Sequence, residues 1–294
     1  MNDDNRNIGV DMIEKISIIK KGCWFFRVTR NSRRYHTMSD WQPAQYLKYR
    51  DERTQPSIDL ANRINHEKPT RIIDIGCGPG NSTVILKNRW PNADVYGLDN
   101  SKSMIEKAKA DYDDIHWLFM GANDDLAPLG QFDIVFSNAA LQWIPDHEIL
   151  IPNLYNMLRK NGVLAAQAPC VRHLPVYADI QRLIQSEKWA EYFRSPPLFP
   201  KHYPYGHYYD ILSRLTDHIE LWQTDYIHIM PDHESIVEWY KGSGLRPFLD
   251  LLPGGEKQSA FCDDYKALVS ESYPIEKSGK VLLPFTRVFF AAYK

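Results

Sequence analysis

The sequence predicts a doubly wound α/β domain: a mostly parallel sheet of seven strands, covered by helices on both faces and topped by a helical cap. Three observations predict it. Between residues 71 and 168, short continuous apolar runs alternate with helical patterns, as strands buried on both faces of a parallel sheet require. A glycine-rich turn follows the first of those runs. After Pro169 the alternation gives way to aromatic- and proline-rich sequence, ahead of two further strand patterns.

The elements follow in order. Residues 1–37 stand apart from the rest, carrying eight basic and four acidic side chains, so that a +4 leader precedes a −6 body. Their apolar patch, Cys23-Trp24-Phe25-Phe26, has no amphipathic period, and a disordered N-terminal extension is expected. Met38-Ser39-Asp40-Trp41 reads as a natural start, and residues 38–294 are expected to form the folded domain. From Pro43 to about His66 the pattern is helical, with a break near Gln55-Pro56, because proline disfavours helical dihedrals in the residue before it. Arg71–Ile75 is a short strand, and Asn81, Ser82 and Thr83 offer caps for a helix running to about Trp90. Then come strand Asp94–Leu98, helix Lys102–Asp111, strand Ile115–Met120 and strand Phe132–Phe136. A helix starts near Asp146, with Glu148 in its first turn, and strand Gly162–Ala168 closes the regular part. Residues 172–217 hold two or three short helices. His218–Met230 alternates like a strand, helical sequence runs from Pro231 to about Tyr273, and Val281–Tyr293 is a long last strand. The cap is therefore expected from residues 38–66, 172–217 and 231–278, over the carboxyl edge of the sheet.

Composition excludes several classes. Lys plus Arg number 35 against 37 Asp plus Glu, a net charge of −2, so no global field favours nucleic acid or an anionic membrane as partner. Cys23, Cys77, Cys170 and Cys262 lie far apart without a CxxC pair, which reads as a reduced, cytoplasmic protein without structural zinc. His202, His207, His228 and His233 are not spaced as metal ligands, and no metal is expected. No apolar run approaches the ~20 residues of a membrane helix, and no signal-peptide core is present.

The strongest local signal is Asp74-Ile75-Gly76-Cys77-Gly78-Pro79-Gly80, with Asp99 25 residues beyond Asp74 at the end of the second strand. Glycines after a first strand admit a ligand close to the backbone, and an acid after the second can hold ribose hydroxyls. A phosphate loop fails, because Asn81-Ser82 stand where it needs Gly-Lys. A dinucleotide fingerprint needs GxGxxG, whereas the spacing here is GxGxG. Asp74, two residues before the first glycine, repels a pyrophosphate but attracts the ammonium and sulfonium of S-adenosylmethionine.

With that loop, acid and strand rhythm, the chain resembles the class I S-adenosylmethionine-dependent methyltransferases. The resemblance extends over residues 38–294. It is carried further by Met38-Ser39-Asp40-Trp41 with Pro43, by Tyr46-Leu47 and Glu52-Arg53, and by Ser137-Asn138-Ala139-Ala140-Leu141-Gln142-Trp143 with Pro145-Asp146-His147. Tyr208-Tyr209-Asp210-Ile211-Leu212, Gly244-Leu245-Arg246-Pro247 and the last strand around Arg287 complete it. It implies a Rossmann-like sheet with an antiparallel last strand, and S-adenosylmethionine as cofactor. It also implies an activity, methylation of a carboxylate on a small polycarboxylic acid, with trans-aconitate the acid expected. By position, Asp74, Gly76, Gly78 and Gly80 would cradle the methionine end and Asp99 the ribose. Met104 would lie against the adenine, and Asn138 beside the methionine moiety. Two positions depart from the pattern: Ala122 stands where an acid usually accepts from the adenine amino group, with Asn123 or Asp124 as substitutes, and Gln55 stands where an arginine is common.

Methyl transfer to a carboxylate needs no general base, since the acid is already ionised at neutral pH; alignment and exclusion of water supply the rate. No catalytic acid or base is expected. Positioning falls instead to Arg53, Arg246 and Arg287, which can grip carboxylates bidentately, and to Trp41, Tyr46, Gln142 and Trp143 as lining. His147 is expected to sit in the first turn of a helix capped by Asp146, not to act as a base. Other readings stay open: a carboxyl methyltransferase for a longer acyl group such as malonyl-carrier protein, a non-catalytic S-adenosylmethionine-binding module and, furthest off, a nicotinamide oxidoreductase.

Overall fold

The structure, a computed structural model, describes residues 50–195 and 200–294, with side chains from residue 54 onward. The chain divides into two units, residues 1–36 and residues 37–294. The leader, Trp41 and Tyr46 lie outside the described residues, and Arg53 is placed by its backbone alone.

Helix α1 (Arg50–Arg63) runs without interruption through Pro56, where the sequence predicts a break. Packing outweighs the local preference: Leu60, Ala61 and Ile64 are buried against the sheet, and the Ser57 hydroxyl donates to the Thr54 carbonyl. Strand β1 (Arg71–Ile75) buries four of its five side chains. Ile72 faces α1 and α2 (Asn81–Arg89), while Ile73 and Ile75 face the opposite layer. That two-sided burial is what makes the run apolar throughout and not alternating.

The remaining elements are β2 (Asp94–Asp99), α3 (Lys102–Asp111), β3 (His116–Phe119), β4 (Phe132–Asn138), α4 (His147–Asn156), β5 (Leu158–Pro169), α5 (Pro175–Ile184), α6 (Tyr205–Leu212), β6 (Ile219–Met230), α7 (His233–Lys241), α8 (Arg246–Leu249), α9 (Gly254–Ser272) and β7 (Val281–Tyr293). The sheet order is β3-β2-β1-β4-β5-β7-β6. The pairs from β3 to β5 are parallel, and β7 runs antiparallel to both its neighbours. Strand β5 starts earlier than the sequence suggests. Leu158 pairs with Phe132, the ladder then slips, and pairing resumes at Val163–Ile134; Asn161 takes a left-handed φ of 64° inside this bulge.

Two cores sandwich the sheet, and a third belongs to the cap. Val176, Ile180, Trp239, Phe248, Phe261 and Tyr265 cluster there with Met230, Val281, Leu283 and Phe285. Those last four lie at the end of β6 and the start of β7, so the cap is anchored where the parallel strands finish. Helix α6, inside the segment 172–217, serves the sheet instead: its Tyr208, Ile211 and Leu212 pack with Val288, Phe290 and the α4 residues Leu150 and Leu154. No helix among the described residues is long and apolar enough to cross a membrane.

Candidate active site

Strand β1 ends in a turn with Gly76, Gly78 and Gly80 at φ values of 73°, 54° and 93°, a region that favours glycine. At Gly76 the requirement is double, since a Cβ there would run into the Cβ of Ala140 on the facing loop. Gly80 occupies the N-cap position of α2 with no side-chain cap. The hydroxyls of Ser82 and Thr83, which the sequence offers as caps, turn back under the loop and donate to Asp74 Oδ2 at 2.6 and 2.7 Å.

Asp74 is fully buried, and its Oδ1 has no hydrogen-bond partner among the described residues. Burial pushes its carboxyl up to about 6, against the two hydroxyl bonds that pull it down. A buried carboxylate with one uncompensated oxygen is costly, and a cationic or ammonium donor above the loop would relieve it. Asp99 is held differently: the Gly78 amide donates to its Oδ2 at 2.9 Å and the Ser101 amide to its Oδ1 at 2.8 Å. Two fixed amides, one to each oxygen, set the plane of that carboxylate.

Above these groups opens a cleft with about 870 Å³ of free space, part of it facing solvent. Gly76, Gly78, Asp99, Met104 and Asn138 line it, together with Trp143; Asp74 and Gly80, both expected from the sequence at the cofactor, are not among the lining. Ala122 lines it as well, while the Asp124 carboxylate accepts through Oδ2 from the Gly121 amide at 2.6 Å and is not among the lining.

A second cavity, with about 620 Å³ of free space that includes its mouth open to solvent, adjoins the first, sharing Ala139 and Trp143. Ala139 sits at φ 53°, a strained conformation for a residue with a Cβ, at the point where the two spaces meet. Gln142 and Arg287 line the second cavity with His202, Trp239, Tyr240 and Phe285. Gln142 is 6% exposed; its Nε2 donates to the Ala139 carbonyl at 2.6 Å, and its Oε1 is buried without a partner among the described residues. Arg287 is 3% exposed, with its guanidinium 4.8 Å from the Phe285 ring centroid. His202 Nδ1 faces the Pro169 carbonyl at 2.9 Å, and burial lowers its pKa to about 4, so the ring is neutral at pH 7.

The three arginines of the sequence reading therefore have separate places. Arg287 is in the second cavity. Arg246 is buried in α8, just after the lining residues Ser243 and Gly244, is not among the lining itself and stands 3.9 Å from Asp250. Arg53 has its backbone in α1. His147 lines neither space; it begins α4, and its Nε2 bonds the Leu141 carbonyl at 2.8 Å, anchoring the turn that presents Gln142 and Trp143. Asp146 precedes it at φ 58° and caps without a side-chain bond.

Sequence reasoning missed Gln167. It is fully buried on β5, donates through Nε2 to Asn138 Oδ1 and accepts from Arg287 Nη1 at 3.2 Å. The available signal was a lone amide inside the apolar strand Gly162–Ala168.

A family model described as a methyltransferase domain matches residues 72–162. Among solved structures, a candidate methyltransferase from Bacillus halodurans matches with a TM-score of 0.54 at 14% identity, covering 82% of this chain and 98% of that one. The YcgJ protein from Bacillus subtilis gives 0.53 at 14%, covering 83% and 98%. Sheet order, glycine cradle and that domain match define a class I S-adenosylmethionine-dependent methyltransferase. The chain is also 40% identical over 262 residues to trans-aconitate 2-methyltransferase from Variovorax paradoxus (strain S110), covering 87% of this chain and 99% of the relative. It is 37% identical over 255 residues to the enzyme of the same name from Escherichia coli (strain K12 / DH10B), covering 87% and 98%. It belongs to the trans-aconitate 2-methyltransferase family.

Proposed function

We propose that this protein transfers the methyl group of S-adenosylmethionine to a carboxylate of trans-aconitate, giving a methyl ester and S-adenosylhomocysteine. The observation that carries the reading is the junction at Ala139 and Trp143, where a backbone-built cleft meets a cavity holding a buried arginine. The residues fit the cofactor. Asp99, fixed by two amides, would take both ribose hydroxyls; Asp74 and the three glycines would hold the methionine end. Met104 would support the adenine, and Asn138 would stand beside the methionine moiety.

When bound, S-adenosylmethionine would supply an electrophilic sulfonium methyl, the C–S electron pair returning to sulfur as the carboxylate oxygen bonds carbon. No proton moves, so the protein needs no base, and the neutral, buried His147 and His202 are not asked for one. Arg287 would grip a carboxylate and hold a second one in line, while Trp239, Tyr240 and Phe285 exclude water from the nucleophile. Trp41, Tyr46, Arg53, Gln142, Trp143 and Arg246 are proposed to complete the substrate pocket, with residues 38–66, 172–217 and 231–278 as its cap. The three free cysteines among the described residues suit a reducing compartment, in keeping with a cytoplasmic enzyme.

Incubation with methyl-labelled cofactor and a panel of acids tests this. Label should appear as an ester of trans-aconitate above all other acids. Transfer only to a longer acyl substrate, or cofactor binding without any turnover, overturns it.

A further inference from the structure

The Gln167 amide joins the two cavities, and its direction is fixed by chemistry. Asn138 and Gln167 are register partners between β4 and β5, and Arg287 lies two residues before Phe289, the partner of Gln167 on β7. The three side chains form one chain of hydrogen bonds across three strands: Arg287 Nη1 to Gln167 Oε1, and Gln167 Nε2 to Asn138 Oδ1. A guanidinium can only donate. Gln167 must therefore turn its oxygen to Arg287 and its nitrogen to Asn138, and Asn138 must answer with its oxygen. The atom Asn138 retains for the cofactor cleft, which it lines, is then the Nδ2 amide, a donor.

We propose that Gln167 is a positioning residue for the reaction proposed above, one that relays the donor-only character of Arg287 in the substrate cavity to Asn138 in the cofactor cleft. The relay makes Asn138 a donor toward an acceptor on the cofactor, of which the methionine carboxylate is the anionic one. Reversed, the same amide would set its oxygen against that acceptor. Full burial of Gln167 leaves water no part in resetting the chain, so a single substitution at its centre decides the sense of the whole.

A glutamate in place of Gln167 can accept from Arg287 but cannot donate at neutral pH, so it would draw Asn138 Nδ2 to itself and turn Oδ1 to the cleft. Calorimetry with S-adenosylhomocysteine tests this in five variants, the two single substitutions at Gln167, Asn138→Ala alone, and the same two Gln167 substitutions in the Asn138→Ala background, folding being checked by thermal melting. Gln167→Glu should raise Kd at least tenfold, and Gln167→Met, which releases Asn138 without turning it and also removes one acceptor from Arg287, by about two- to fivefold. In the Asn138→Ala background both effects should shrink below twofold, because no amide remains to be turned. An equal loss in Gln167→Glu and Gln167→Met, or a loss that persists without Asn138, marks a packing role and overturns the proposal; so does wild-type affinity in Gln167→Glu. Should Gln167→Glu not fold, Gln167→Met with and without Asn138 still decides. Failure of the wild-type protein to bind S-adenosylhomocysteine would instead sink the methyltransferase reading, and the relay with it.

Discussion

The two cavities are built in opposite ways. The proposed cofactor cleft rests largely on backbone geometry: a glycine turn, and two amides fixing Asp99 at the end of β2. All of it lies between residues 74 and 144. The second cavity is made of side chains brought from the loop after β4, the end of β5, the residues around His202, helix α7 and the start of β7. A backbone site tolerates little change but is shared by proteins with many substrates. A side-chain site can be redrawn one residue at a time, so it is where choice of acid is expected to reside.

If the cleft is rigid backbone, Gly76→Ala should be the most damaging change. It combines a left-handed φ of 73° with a methyl group driven into Ala140, a cost of about 2–4 kcal/mol, read in thermal unfolding; an unaltered melting temperature would show that the loop gives way.

Asp74 sharpens the same point through pH. Its folded pKa, raised from 3.8 to about 6, means the folded state holds a proton that the unfolded state has lost between those values. Stability conferred by this group is therefore greatest below pH 4 and declines as pH rises through 6, by at most about 3 kcal/mol. His202 acts in the opposite sense: its depressed pKa makes stability fall as pH drops from about 6.5 towards 4. The difference between wild type and Asp74→Asn isolates the first effect. In ligand-free protein, Asp74→Asn should be more stabilising at pH 7 than at pH 4.5, and equal effects at both would remove the buried charge from the account.

A crossed pair breaks or keeps the division of labour. Asp99→Ala should weaken cofactor binding by about 1.5–3 kcal/mol, since in the proposed site one carboxylate would serve two hydroxyls. Arg287→Lys should raise KM for the acid about tenfold, because an ammonium cannot reproduce a planar fork, yet leave cofactor affinity unchanged, since lysine also only donates to Gln167. Arg246→Lys, outside the lining, should act more weakly. Steady-state kinetics with calorimetry checks all three, and an Arg287→Lys that loses cofactor but not substrate would reverse the assignment. The smallest effect belongs to Ala122→Asp. A new acceptor at the cleft should tighten cofactor binding by about 0.5–1.5 kcal/mol; weaker binding would mean that the adenine lies elsewhere.

How far the sequence could be read follows the same division. Strands β1, β2 and β4 and helix α3 were legible because burial on both faces and a Ser101 cap are local properties, as was the glycine turn. The uninterrupted α1 was not, because Pro56 is overruled by contacts with a sheet that a local window does not contain. Ser82 and Thr83 looked like caps, since their partner Asp74 lies eight or nine residues away. Gln167 escaped because its meaning is tertiary: one amide among apolar neighbours says nothing until β4 and β7 are laid beside it.

The strand that comes last in the chain lies next to last in the sheet. Strand β7 slots between β5 and β6, and β6 is held through twelve paired positions with β7. Until residues 281–293 arrive, β5 presents a bare edge and β6 has no place to dock. Helices α7, α8 and α9 span the gap in sequence between the two late strands, and their core closes on Met230 and Val281. The cap thus has a second duty in time: gathered around its own apolar cluster, it can bring the two strand ends together and shorten the search for a pairing that spans the longest loop in the sheet. A lesion deep in the cap should then slow refolding as well as reshape the pocket.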